Sequence, residues 1–176
     1  MDEIPLAYVR VGENRYRESR GFYYEDFIPG DVIEHRPGRT VTQLDNAWFS
    51  LLTMNQHPVH VDVEYGKRTE FGGRALFNSS LTLAIVGSMS VTTVSHRAVC
   101  NLGWDEVRLP HPVFEGDTLY AETLVLDKRE SASRPTQGIV RVRTTGKNQA
   151  GIVVITFIRT ALLPKRGHSL EDKIGY

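Results

Sequence analysis

The stretch FNSSLTLAIVGSMSV, residues 77–91, decides the fold of this chain. Asn78 or Ser79 can cap its start, and behind that cap Leu81, Leu83, Ala84, Ile85, Val86, Met89 and Val91 leave almost no polar face. A helix that is apolar on nearly every side has to be buried. The chain beyond it is extended: strands are expected near residues 99–104, 106–109, 118–130, 138–148 and 151–163, punctuated by PVFEGD and by a turn at 148–151. Val140 and Val142 alternate with Arg141 and Arg143, the pattern of a strand with one wet face.

Upstream, FIPGDVIEHR turns at Pro29-Gly30-Asp31 and opens a first strand at Val32. Thr42 and Asp45 have the hydroxyl-then-acid spacing of a helix start, and Leu44, Ala47, Trp48, Leu51 and Leu52 recur behind them at helical spacing, which predicts a short amphipathic helix ending near Met54. Residues 1–21 read as a polar arm without structure of its own, and residues 166–176 as a polar tail. The expected domain is therefore 22–165. One long buried helix wrapped by an antiparallel sheet is an α+β arrangement, the hot-dog fold.

Composition narrows the partners. With 21 basic and 21 acidic residues in 176, no overall field recruits nucleic acid or an anionic membrane, so an anionic ligand must be held by a local cluster. No run approaches the roughly 18 apolar residues of a spanning helix, and the first twenty residues lack the apolar core of a signal peptide. Cys100 is the single cysteine, so no internal disulfide can form. A cytoplasmic protein is expected.

The chemistry-bearing stretch is TMNQHPVHVD, residues 53–62. Pro58 denies a backbone donor and pushes His57 out of helical geometry, so His57 and His60 sit on the loop that leaves the first helix. Three segments in order, NQHPVH, RALFNSSLTL and PVFEGDTL, resemble the MaoC-like hydratases and dehydratases, hot-dog proteins that add water to, or remove it from, acyl-CoA thioesters. CNLGWDEVR and NQAGIVV are similar to the branch of mesaconyl-CoA hydratases, also called β-methylmalyl-CoA dehydratases.

The resemblance implies site residues. The family loop D-x-N-P-L-H places its His on His60, its Asp on Asn55 and its Asn on His57. The Gly at the family's helix start falls on Ser79, flanked by Asn78, where a backbone N–H serves the thioester oxygen. His60 is then the acid/base, Asn55 positions the water, and the backbone at Ser79 holds the oxygen. The departure at Asn55 matters, because a carboxamide orients a water but cannot accept its proton. Asp62 and Asp45 are the carboxylates that His60 could borrow, Asp62 the better of the two. Arg74, near the helix entry, and Arg108, on the strand before PVFEGD, are candidates for the CoA phosphates.

Rival readings stay open at this level. His57, His60 and Asp62 could ligate a metal, although three ligands within six residues lack the distant group that closes such sites. His35, His96, His111 and His168 are dispersed and read as surface or hydrogen-bonded histidines. A hot-dog thioesterase and a non-catalytic acyl-CoA binder are the alternative functions. The hydratase reading needs no cofactor and no metal, takes an acyl-CoA thioester as partner, and expects a homodimer, since a lone sheet leaves an open edge.

Overall fold

Residues 7–176 are described by the computed structural model. The buried helix is α3 (Ser79–Met89), preceded by a hairpin β1 (Tyr8–Gly12) and β2 (Arg15–Glu18), then β3 (Val32–Thr40), α1 (Gln43–Thr53) and a one-turn α2 (Val63–Gly66). It is followed by β4 (Cys100–Arg108), β5 (Thr118–Glu130), β6 (Gln137–Lys147), β7 (Val153–Pro164) and a short α4 (Leu170–Ile174). Strands β3, β5, β6, β7 and β4 form, in that order, one antiparallel sheet. With α3 packed against β3, β5 and β6, this is the hot-dog fold.

The core joins Ile85 and Val86 of α3 to Leu119, Ala121, Val154, Ile155 and Phe157 of the sheet, with Val41, Phe77 and Val113 closing one end. Each of these side chains larger than Ala121 contributes about 1.5–3 kcal/mol on burial. The helix approaches the sheet closely at Gly146, where a Cβ would stand 2.8 Å from Val86 Cγ2. One strip of α3, Ser80, Ala84 and Ser88, stays exposed, so the helix is buried on most of its surface rather than all of it.

Beyond the end of α3 the chain makes a π-helical turn, Val91–Ser95, over a second cluster of Phe27, Val94, Val125, Val140, Val142 and Leu163. Buried polar side chains sit beside it. His35 Nε2 lies 2.7 Å from Thr123 Oγ1, which in turn meets Thr144 Oγ1 at 2.9 Å. Arg159 is enclosed with Nη2 donating to Ser90 Oγ at 2.8 Å, and burial lowers its guanidinium to about 10. Burial first, then the charges of Arg159 and Arg36, push the His35 imidazole down to about 4.

Three expectations need correction. The strand expected in two pieces at 99–104 and 106–109 is continuous: β4 carries a bulge, with Glu106 at φ 49° and a register shift against β7 between Asp105 and Arg108, and that extra residue breaks the alternation. The arm is structured where it is described, because Tyr8, Val9 and Arg10 pair with Glu18, Arg17 and Tyr16; its first six residues lie outside the described ones. The tail is structured too. Ser169 and Asp172 form a capping box that starts α4, Arg17 Nη1 donates to Gly175 O at 2.7 Å, and Tyr23 donates its hydroxyl hydrogen to Asp172 at 2.8 Å. Arm and tail each supply what the other lacks.

Candidate functional site

The site is built from α1 outward. Thr42 accepts from the Asp45 N–H and Asp45 accepts from the Thr42 N–H, so the helix starts where the sequence places it, and Met54 in the left-handed region ends it. Its orientation is the reverse of an ordinary amphipathic helix. Leu51 and Leu52 are 78% and 76% exposed, Leu44 and Trp48 are also outside, and Asn46 and Ser50 face in.

Asn46 explains the inversion. Its Nδ2 donates to the backbone oxygens of His60 at 2.8 Å and Leu76 at 3.1 Å, and its Oδ1 accepts the Asn78 N–H at 2.9 Å. One buried carboxamide therefore ties α1 to the histidine loop, to the segment before α3 and to the cap of α3. Sequence reasoning passed it over, since an asparagine within an apolar helix carries no local signal of its partners.

The loop is shaped by its own side chains. Asn55 Oδ1 accepts the His57 N–H at 3.3 Å, and His57 Nδ1 accepts the Val59 N–H at 3.2 Å, turning Pro58–His60 into a single 3-10 turn. His60 Nδ1 stands 2.7 Å from Leu76 O. A carbonyl only accepts, so Nδ1 carries the hydrogen and Nε2 of the neutral ring keeps its lone pair. That is the tautomer a general base needs.

At the start of α3, Asn78 Oδ1 accepts the Ser80 N–H at 3.0 Å while its own N–H goes to Asn46. Between them the Ser79 N–H has no acceptor among the described residues. It lies at the positive end of the helix. His60 and Ser79 line the same cleft of about 250 Å³, walled by Phe71, Leu76, Phe77, Leu109, Pro112 and Val113 and including Thr82 and His111. The residues that bear the lone pair and the free N–H thus line one apolar space.

Other predicted residues fall elsewhere. Asn55 lines a second pocket of about 360 Å³ with Ala47, Ser50, Leu51, Met54, Gln56 and Val61, and the cleft of His60 contains no carboxylate among its lining residues. Asp62 caps α2, accepting the Tyr65 N–H at 3.0 Å, Asp45 is held by Thr42 and by an ion pair with Arg39, and neither is among the residues lining the cleft of His60. With His57 Nδ1, His60 Nδ1 and Asp62 Oδ1 each turned to the backbone, the three do not converge, and among the described residues no group of three or more His, Cys, Asp or Glu is placed to hold a metal. Arg74 Cζ sits over the Phe114 ring, 3.7 Å from its centroid, and Phe114 adjoins the cleft residue Phe71. Arg108 is exposed at the end of β4, where Nη1 donates to the adjacent Val107 oxygen at 3.1 Å.

His111 is exposed and hydrogen-bonded, as the sequence reading expects, and what that reading did not show is its place in the cleft. It is a cleft residue, with Nδ1 2.9 Å from Val153 O. The available signal was its setting in Leu109-Pro110-His111-Pro112, where two prolines restrict the backbone on either side of the ring.

The family model described as mesaconyl-CoA hydratase matches residues 5–174. The chain belongs to the mesaconyl-CoA hydratase family. Among its relatives, the mesaconyl-CoA hydratase of Cereibacter sphaeroides is 33% identical over 150 residues, which cover 85% of this chain and 43% of that protein. The chain thus spans less than half the length of that curated relative. A solved structure described as a MaoC domain dehydratase from Chloroflexus aurantiacus is 31% identical, with a TM-score of 0.79 over 83% of this chain and 41% of the other. A conserved Mycobacterium tuberculosis protein described as having a double hot-dog fold superposes with a TM-score of 0.76 at 23% identity over 85% of this chain and 47% of that one, which bears on the fold alone. Family membership accords with the order of the three motifs. No helix among the described residues is long and apolar enough to cross a membrane.

Proposed function

We propose that this protein is a hydro-lyase that adds water to, or removes it from, an α,β-unsaturated acyl-CoA thioester, a branched dicarboxylic one such as mesaconyl-CoA. The observation that carries the reading is that one apolar cleft is lined both by His60, whose Nε2 is left free by the bond of Nδ1 to Leu76, and by Ser79, whose N–H at the start of α3 has no acceptor among the described residues. The thioester oxygen accepts from the Ser79 N–H, which draws electron density from the double bond. His60 Nε2 takes a proton from water as the water oxygen bonds to the β-carbon, and the π electrons move into the enolate held at Ser79. The same proton then passes from the imidazolium to the α-carbon, and the base is restored. Asn55, which accepts the His57 N–H outside that cleft, holds the loop together with His57 and Asp62, and Asn78 holds the cap of α3. Arg74 and Arg108 meet the CoA phosphates.

A homodimer is part of the proposal. The exposed face of α1 with Leu44, Trp48, Leu51 and Leu52, and the open edge β4 with Leu102 and Trp104 outside, are surfaces that a second copy would cover. Light scattering at micromolar concentration, returning a monomer, would remove that element.

The deciding experiment follows the enoyl absorbance of mesaconyl-CoA and crotonyl-CoA with purified protein, with a thiol reagent in a parallel cuvette. Loss of absorbance without thiol release supports the hydro-lyase; thiol release identifies a thioesterase. A second reading, an acyl-CoA binder without catalysis, is favoured by one observation, the lack of a carboxylate among the residues lining the cleft of His60. Binding with neither signal would select it.

A further inference from the structure

The cleft holds two imidazoles tethered in the same way. His60 is fixed through Nδ1 to Leu76 O at 2.7 Å, and His111 through Nδ1 to Val153 O at 2.9 Å, so that each leaves only Nε2 for a ligand. They come from different parts of the fold, the loop after α1 and the turn between β4 and β5. The rest of the lining is apolar apart from Ser79 and Thr82, and the Thr82 hydroxyl already donates to Asn78 O at 3.2 Å. No Lys, Arg, Asp or Glu is among the lining residues. With His60 assigned to the water and the Ser79 N–H to the thioester oxygen, His111 is left without a task.

The substrate chemistry supplies one. A mesaconyl group carries its second carboxylate on the β-carbon, the carbon that the water attacks, so the carboxylate enters the cleft with the reacting bond and cannot stay at the mouth with the CoA. Burying a carboxylate in an apolar space without a partner costs far more than binding returns. It needs a donor on the wall of the cleft, preferably a cationic one. Besides His60, His111 is the lining residue that can become a cation. Its Nδ1–H is engaged with Val153, so the ring with a proton on Nε2 donates from that nitrogen to a carboxylate oxygen.

We propose that His111 is the specificity-determining residue of this site, binding the distal carboxylate of a dicarboxylic acyl group through Nε2. The assignment rests on the hydro-lyase reading for its geometry, and it adds what that reading leaves open: how an apolar cleft accepts a second negative charge. Arg74, over the Phe114 ring at the cleft's flank, remains with the phosphates.

The test separates binding from turnover. Saturated thioesters that cannot be hydrated, succinyl-CoA and butyryl-CoA, are titrated calorimetrically into the wild type, His111→Gln and His111→Arg. The wild type binds succinyl-CoA more tightly than butyryl-CoA; His111→Gln lowers that preference about 10- to 100-fold, the range for a lost hydrogen bond to a charged group; and His111→Arg restores part of it. Hydration then changes in parallel: His111→Gln depresses kcat/KM for mesaconyl-CoA far more than for crotonyl-CoA, chiefly through KM. Far-UV circular dichroism checks that the variants fold, as expected for an exposed ring with one backbone bond.

A wild type with no preference for succinyl-CoA overturns the proposal, and so does a His111→Gln variant that keeps the wild-type preference. Equal losses on both thioesters overturn it as well, since they place His111 in proton transfer or in the fold. Failure of the function reading looks different: a wild type that prefers succinyl-CoA through His111 yet hydrates neither enoyl thioester supports the carboxylate site and refutes the hydro-lyase.

Discussion

Replacing Asn46 with alanine probes the joint between the two halves of the site. The side chain is 1% exposed and makes three hydrogen bonds, to the His60 and Leu76 oxygens and from the Asn78 N–H. The three losses are unequal. The His60 oxygen keeps the Gln43 Nε2 donor at 3.3 Å, and the Leu76 oxygen keeps the His60 ring at 2.7 Å, so each of those bonds is worth roughly 0.5–1.5 kcal/mol. The Asn78 N–H keeps no partner and is buried, which costs about 1–3 kcal/mol. The total is about 4 kcal/mol, a large part of the roughly 5–15 kcal/mol that holds a domain folded, but less than most domains possess. Urea unfolding of Asn46→Ala at neutral pH should show a fall of this size with an unchanged m-value. Because the change frees the loop of His60 and the cap of α3 together, kcat for enoyl-CoA hydration should fall by about tenfold or more in the folded variant, with a smaller effect on KM. A loss of stability under about 1 kcal/mol, or full activity in the variant, would refute the view that this carboxamide aligns base and oxyanion donor.

His60→Ala should lower hydratase turnover at least about 100-fold with the fold intact by circular dichroism, and His57→Ala should cost less; equal losses, or abolition by a chelator, would return the metal reading to favour. Asn55→Asp should change kcat/KM for crotonyl-CoA and mesaconyl-CoA alike and by less than about tenfold, since residue 55 lines the second pocket and serves the His57 N–H; a gain on crotonyl-CoA with a loss on mesaconyl-CoA in steady-state kinetics would show that position 55 reaches the reacting centre. Stability should fall on acidification through His35. Its folded value of about 4 lies below the unfolded 6.5, so the unfolded chain binds the proton first, and the stability present above pH 6.5 is lost by roughly 3 kcal/mol as pH falls through 4. Urea midpoints across pH 4–7 should show a steeper decline in the wild type than in His35→Gln, and identical slopes would count against the assignment.

Short-range pattern settled much of this protein. The Thr42–Asp45 box starts α1 where expected, Asn78 caps α3, Val140 and Val142 face in while Arg141 and Arg143 face out, and β5 runs from Thr118 to Glu130 as the sequence reads. Each of these depends on neighbours within a turn or on strict alternation, and so is written locally. The loop motif likewise singled out His60, though the freedom of its Nε2 is the work of a carbonyl 16 residues away. What the tertiary structure alone decided is which side of a pattern points inward and what meets across the fold. Periodicity shows that α1 has two faces but not that the polar one is buried; that comes from Asn46 finding backbone partners 14, 30 and 32 residues distant. His111 enters the cleft because β7 brings Val153 to its ring across 42 residues, and the hairpin of the arm lies by α4 through bonds spanning up to 158 residues. Hydrogen bonds and burial are satisfied over the whole folded chain, so a polar side chain whose partner is far away in sequence leaves no local trace of where it will point.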